Sequence, residues 1–216
     1  MANSSRDNIL ASIKSALTHL PENLRQKPDM HSPIYVEEEG KDAAIVFAEN
    51  FTARKGLFFY AENLEEFRVQ IAGFLKERQF KNIHIWEKEL AEELAETQIT
   101  FSTTDRNFLE VDCGITLCEC LITRTGSFLM TSRQMAGRRL SIFPPVHIVV
   151  ASMGQLVPDI KDGMAFIQKK YGDRLPSLIS LVTGASRTAD IEKTLVLGAH
   201  GPKELVLFLI DDGQSA

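Results

Sequence analysis

Two polar, glycine-bounded stretches near the C-terminus hold the side chains best suited to bind a ligand or move a proton. The first is Gly184-Ala185-Ser186-Arg187-Thr188-Ala189-Asp190-Ile191-Glu192, and the second is Gly198-Ala199-His200-Gly201-Pro202-Lys203-Glu204-Leu205. In the first, backbone N–H groups and the hydroxyls of Ser186 and Thr188 can hold an anion while the Arg187 guanidinium closes over it. Gly184 allows a sharp turn out of the preceding strand. His200, in a turn with Gly201, supplies an imidazole able to serve as acid, base or donor near neutral pH. A purely structural reading also fits, with Ser186 or Thr188 capping a short helix and Arg187 paired with Asp190 or Glu192.

A second cationic region lies upstream. Between Glu119 and Asp159 there is no carboxylate, yet the interval holds Arg124, Arg133, Arg138, Arg139 and His147. A guanidinium presents a planar fork of donors that matches carboxylate or phosphate. Arg138 is the leading candidate, because Ala136-Gly137 before it permits close backbone approach, and the bland alternative is a set of solvated or ion-paired arginines. The expectation is that Arg138 and Arg187 converge on one recess. His147, on an apolar run, is expected to be a buried, hydrogen-bonded imidazole. Glu119 and Asp190 are the carboxylates available for chemistry.

Cys113, Cys118 and Cys120 are the only three cysteines of the chain. Their spacing suits neither a zinc site nor a disulfide framework. Cys118 and Cys120 are expected to face one side of a strand, with Glu119 on the other. No dinucleotide fingerprint, Walker A motif, zinc-protease motif or hydrolase elbow occurs.

These groups must be positioned by a chain of 216 residues, 44% hydrophobic, with net charge −5. That content supports a sizeable core, and the acidic balance argues against nucleic acid or an anionic membrane as partner. No segment has the apolar length of a signal peptide or a membrane span, so a cytoplasmic protein without membrane insertion is expected.

Ile9, Ile13, Leu17 and Leu20 predict an amphipathic helix from Ser5 to Leu20, ended by Pro21, that docks on the body or on a second copy in a homo-oligomer. Three prolines and Glu37-Glu38-Glu39 make residues 21 to 40 a linker. The organisation expected is therefore a helix and linker over 1–40 and an α/β domain over 41–216. Helices are predicted over 42–53, 64–77, 87–96 and 159–171. Strands are predicted at 56–61, 82–86, 99–101, 146–151, 178–183 and 204–210. An antiparallel hairpin around Arg124-Thr125-Gly126 leads into Ser127. Alternating strands and helices imply a mainly parallel sheet, with the loop from Thr183 to Arg187 at the carboxyl ends of its strands, where such sheets bind ligands.

The residues from Gly114 to Asp211 carry a family resemblance. Gly114-Ile115-Thr116, Thr125-Gly126-Ser127, Gly137-Arg138, Leu140 through Ile148, Val157-Pro158, Ser186 through Glu192 and Leu197 through Leu205 resemble the LUD-domain family, within it the lactate-utilisation protein C group. The resemblance implies a three-layer α/β fold similar to the sugar-isomerase and CoA-transferase superfamily, and a part in oxidising L-lactate to pyruvate beside iron–sulfur subunits. This chain lacks the cysteine clusters such cofactors need, so no cofactor is expected in it and the iron–sulfur clusters belong to its partners. The resemblance implies an acidic residue where Arg124 stands, so either the chemistry such a carboxylate serves in relatives is lost here or a more anionic ligand is preferred.

The leading expectation is an accessory subunit that binds a small carboxylate or phosphate-bearing ligand through Arg124, Thr125, Gly126, Ser127, Arg138, Ser186, Arg187, Thr188, His200 and Gly201. One alternative is a CoA-transferase-like or sugar-phosphate isomerase-like enzyme using Glu119 or Asp190, either of which must then reach the cleft of Arg187. The other is an interaction subunit that docks through its N-terminal helix.

Overall fold

A computed structural model describes residues 5–18, 40–189 and 195–213. The chain divides into two units, 1–39 and 40–216. Of the first, the described part is helix α1 (Ser5–Thr18), on which Ile9, Ile13 and Leu17 recur every fourth residue.

The second unit is built on five parallel strands. β1 (Leu57–Ala61), β2 (Ile83–Ile85), β3 (Cys113–Leu117), β6 (Val146–Ser152) and β11 (Glu204–Ile210) lie in the order β1-β11-β6-β3-β2. β6 and β11 are apolar almost throughout, as strands covered on both faces must be. Ile148, Val150, Val206 and Phe208 turn to a core capped by α3 (Leu64–Arg78) and α4 (Lys88–Ala95), through Phe67, Ile71, Phe74, Leu90 and Leu94. Val149, Ala151, Leu205, Leu207 and Leu209 turn to the opposite core.

A second sheet closes that opposite face. β4 (Cys120–Ile122), β5 (Ser127–Thr131), β7 (Leu156–Val157) and β8 (Ile179–Val182) pair in the order β7-β4-β5-β8. Leu121, Phe128, Met130 and Leu156 meet the parallel sheet together with Phe47 and Phe51 of α2 (Ala43–Ala53). On the outer face, Cys120, Ile122 and Leu129 pack against Ile167 of α5 (Ile160–Tyr171). β9 (Arg187–Ala189) and β10 (Leu195–Leu197) form a separate antiparallel pair.

The mixed α/β fold with a mainly parallel sheet is the one expected from the alternation of elements. Helix starts follow local signals: Asp42 accepts from the amides of Ala44 and Ile45, Asn63 from Glu66, and Asp159 from Ile160. Several expectations fail in detail. The hairpin β4–β5 does not extend the parallel sheet but belongs to the second one. Residues 99–101 form no strand; Ser102 alone bridges to His84. β3 was not anticipated.

The cysteines also depart from expectation. Cys118 lies in the core between the sheets and Cys120 in the core under α5. The chain leaves the parallel sheet after Leu117 and joins the second at Cys120, so side-chain alternation breaks between them.

Candidate functional site

The loop holding Ser186 and Arg187 emerges from the carboxyl end of β8, but β8 belongs to the second sheet. The Ser186 amide donates to the carbonyl of Pro202, which precedes β11, and the Lys203 amide donates to the carbonyl of Pro145, which precedes β6. Arg187 donates to the carbonyl of Arg54, which precedes β1. The loop therefore sits at the amino ends of β1, β11 and β6, opposite to the expected end. What decides this is the sheet to which its strand belongs, and local sequence does not encode that.

Around this end the structure joins most of the expected ligand-binding residues. Ser186 is the hub: its carbonyl accepts from Gly198 at 3.0 Å and its hydroxyl from the His200 amide at 3.3 Å. A Cβ placed on Gly201 would stand 3.3 Å from that of Ser186. Gly184 adopts φ +76° and passes close to the Arg54 carbonyl. Next to it, the hydroxyls of Thr183 and Ser127 are 2.7 Å apart.

Ser127 leads to the turn of the hairpin. Gly126 adopts φ +57°, and an added Cβ would lie 2.4 Å from the Asn50 carbonyl carbon, so the turn needs glycine both for its dihedral and for its contact with α2. Asn50 donates to the Thr123 carbonyl at 3.1 Å, and Arg54 donates back to the Asn50 carbonyl at 3.1 Å. The Thr125 hydroxyl is buried here with no hydrogen-bond partner.

Arg124 is half-buried and binds Asp159, the cap of α5, at 2.6 Å. That bond holds the Asp159 carboxyl below its ordinary range, against partial desolvation and with help from the Ile160 amide. Arg124 thus ties the hairpin turn to α5. Arg54 and Arg187 differ from it: their described bonds run to backbone carbonyls only, and neither enters an ion pair among the described residues. Arg187 is exposed and Arg54 half-buried, so with respect to the described residues both guanidiniums keep donors available to meet an anion.

Thr188 stands in β9, in register with Val196, and Asp190 falls outside the described residues. Arg138 donates to the Ser177 hydroxyl, at the beginning of β8. Arg138 and Arg187 therefore lie at opposite ends of that strand, about 13 Å of chain at ~3.3 Å per residue, and do not converge.

Glu119 does not reach the Arg187 cleft either. It is 1% exposed and accepts from Lys170 at 2.7 Å and from Thr131 and Tyr171 at 2.6 Å each. Burial works to raise its pKa, but those three donors outweigh it and the net direction is down. Burial, and after it the same carboxylate, pushes Tyr171 up. This is a satisfied internal anchor joining α5 to the hairpin.

His147 meets the expectation of a buried imidazole. Its Nε2 lies 2.8 Å from the Thr116 hydroxyl, Nδ1 has no partner, and burial pushes its pKa down to about 3. Sequence reasoning missed Arg54, a single arginine at a helix end, and Thr183. It also missed Glu87, whose buried carboxylate oxygens receive no hydrogen bond. Burial pushes that carboxyl up to about 7, although the amides of Glu87, Ala136 and Leu117 act in the other direction without reaching hydrogen-bond geometry.

No group of three or more metal-ligating side chains gathers among the described residues. Cys113, Cys118 and Cys120 occupy three different cores. No helix among the described residues is long and apolar enough to cross a membrane.

Comparison with known proteins places this geometry in a family. A family model described as LUD domain matches residues 41–210. Lactate utilization protein C of Bacillus licheniformis is 33% identical over 105 residues, covering 48% of this chain and 44% of that protein. The protein of the same name from Halalkalibacterium halodurans is 27% identical over 166 residues, 76% of this chain and 66% of that one. The first match thus spans less than half the length of the relative. A DUF162 family protein of Deinococcus radiodurans, known from its crystal structure, shares the fold with a TM-score of 0.61, covering 78% of this chain and 96% of that one at 19% identity.

Proposed function

The chain belongs to the LUD-domain family, and on that premise we propose that it serves L-lactate utilisation by binding a small carboxylate or phosphate-bearing ligand at the site of Arg54, Ser186 and Arg187. The observation that carries the reading is that Arg187 donates to the backbone carbonyl of Arg54, 133 residues away in sequence and close to Gly184, while no carboxylate among the described residues binds either guanidinium. The exposed Thr183, whose hydroxyl lies 2.7 Å from that of buried Ser127, adjoins the loop, and the His200 amide shapes it through Ser186. The name carried by the relatives from B. licheniformis and H. halodurans supplies the lactate context.

In this reading the protein acts in the cytoplasm as an accessory subunit, and the redox chemistry of lactate oxidation, with its iron–sulfur clusters, resides in partner subunits. The site offers charge and hydroxyl groups for recognition. Glu119, bound at the far end of the hairpin, lends no support to an enzyme in which it works beside Arg187.

Thermal-shift titration with lactate, pyruvate, CoA and a sugar phosphate tests the site. A true ligand at about 100 times its Kd adds roughly 2.7 kcal/mol to stability, and Arg54→Ala combined with Arg187→Ala abolishes that gain. An equal gain in the double variant, or no gain with any of these compounds in the parent protein, would overturn the reading. Co-purification of iron–sulfur proteins from lactate-grown cells tests the partners.

A further inference from the structure

Among the described residues, β8 is an edge strand with no partner on its outer side. In the second sheet β8 pairs only with β5, with Ser180 opposite Met130 and Val182 opposite Phe128. The Ser132 amide donates to the Leu178 carbonyl at 3.0 Å, which sets the phase of the antiparallel ladder. Residues 178, 180 and 182 then turn their backbone groups toward β5, while Ile179 and Leu181 aim an N–H and a C=O away from it. No further strand pairs with them among the described residues.

Proteins protect such edges with lysine, proline, bulges or a covering loop. Within β8, Ile-Ser-Leu-Val carries none of these residues, and Leu175, Leu178 and Leu181 beside the edge are 51%, 39% and 42% exposed. At the beginning of the strand stand three exposed arginines. Arg133 donates to the Arg174 carbonyl at 3.3 Å and Arg138 to the Ser177 hydroxyl. None of Arg133, Arg138 and Arg174 forms an ion pair among the described residues. Over 132–139 and 169–182 the sole carboxylate is Asp173.

A template for an added strand thus adjoins a cationic cluster in a protein whose net charge is −5. A second copy of the chain is a poor occupant. Antiparallel pairing of β8 with itself would set Arg133, Arg138 and Arg174 of one copy against the end carrying Arg54 and Arg187 of the other, cation against cation. We infer that the β8 edge docks an extended, acidic segment of a different protein, whose backbone pairs with Ile179 and Leu181 and whose carboxylates meet Arg133, Arg138 and Arg174. Recognition of this kind takes affinity from main-chain hydrogen bonds and selectivity from the flanking charges.

The test uses the full chain and a labelled peptide of repeating Glu-Val units, with a Lys-Val peptide as control. Expected results are saturable binding of the acidic peptide alone, slower amide exchange at Ile179 and Leu181 by about tenfold on binding, and affinity lowered roughly tenfold or more by Arg133→Glu with Arg138→Glu. The same double variant keeps the thermal response to small anions, because neither residue lies at the Arg187 site, and so separates this inference from the preceding one. No binding of the acidic peptide, binding without added protection at either amide, or binding untouched by the charge reversal would each overturn it. So would a dimer of this chain, seen by sedimentation, in which hydrogen exchange finds both amides already protected.

Discussion

The hairpin of β4 and β5 carries charge at both ends, and the two ends treat it differently. At the end of Thr131, Glu119 is enclosed, with one carboxylate oxygen on Lys170 and the other on Thr131 and Tyr171. At the end of Gly126, Arg54 and Arg187 spend donors on backbone carbonyls and, among the described residues, bind no carboxylate. A buried charge is tolerable only when its neighbours complete its hydrogen bonds, and then it holds elements together. A partly exposed charge bound to dipoles alone remains free to bind an ion. Titratable chemistry thus marks structure at one end and recognition at the other.

The contrast can be broken most forcefully from the buried side. Glu119→Ala leaves Lys170 and Tyr171 facing a vacated site and is expected to cost about 3 kcal/mol in denaturant unfolding, with the anion response of the folded protein unchanged. A cost below about 1 kcal/mol would show that the carboxylate is not an anchor. Gly126→Ala forces a side chain into a left-handed turn and onto the α2 backbone, for an expected loss of about 3 kcal/mol that a Ser127→Ala change does not reproduce.

Two buried groups outside both ends set the response to pH. Glu87 has its pKa raised in the folded state, so the native protein holds a proton that the unfolded chain releases between about 4.5 and 7. Its contribution is full below that window and is lost as pH rises through it. Glu87→Gln is therefore expected to stabilise by about 3 kcal/mol at pH 8 and by little at pH 4. His147 works in the opposite sense, since its folded pKa of about 3 lies below the ordinary 6.5. Its contribution is full above 6.5 and is lost as pH falls toward 3. Chemical denaturation across pH 4 to 8 should show the falling Glu87 slope disappear in Glu87→Gln while the acid-side loss persists.

The smallest stability effect belongs to the open end. Arg187→Ala is expected to change unfolding free energy by no more than about 0.5 kcal/mol, because the residue is exposed and uses one carbonyl. Its effect appears only when an anion is present. A large intrinsic loss would place Arg187 with Glu119 as an anchor and erase the distinction between the ends.

Much of this was legible along the chain. The apolar runs at β1, β6 and β11, the caps Asp42 and Asp159 and the turn at Gly126 all declare themselves locally, since each depends on neighbours a few residues away. The grouping of Ser186, Arg187, His200 and Gly201 was legible because two glycine-bounded polar loops flank one apolar strand. Arg54, Thr183 and Glu87 were not, because each is an ordinary residue whose surroundings come from distant segments. The error over Arg138 has the same origin: like charges clustered in sequence need not share an end of a strand.

The sequence by itself determined the helices of the α/β unit, the strands β1, β6 and β11, the cationic interval after Glu119 and the loops that bear hydroxyls and guanidiniums, because periodicity and turn chemistry are short-range. Only the tertiary structure decided that the hairpin belongs to a second sheet. That choice carries β8 away from the parallel strands, brings the Arg187 loop to their amino ends beside Arg54, and leaves Glu119 enclosed at the opposite end. Sheet membership is settled by which apolar faces can be covered at once, a property of the whole packed chain.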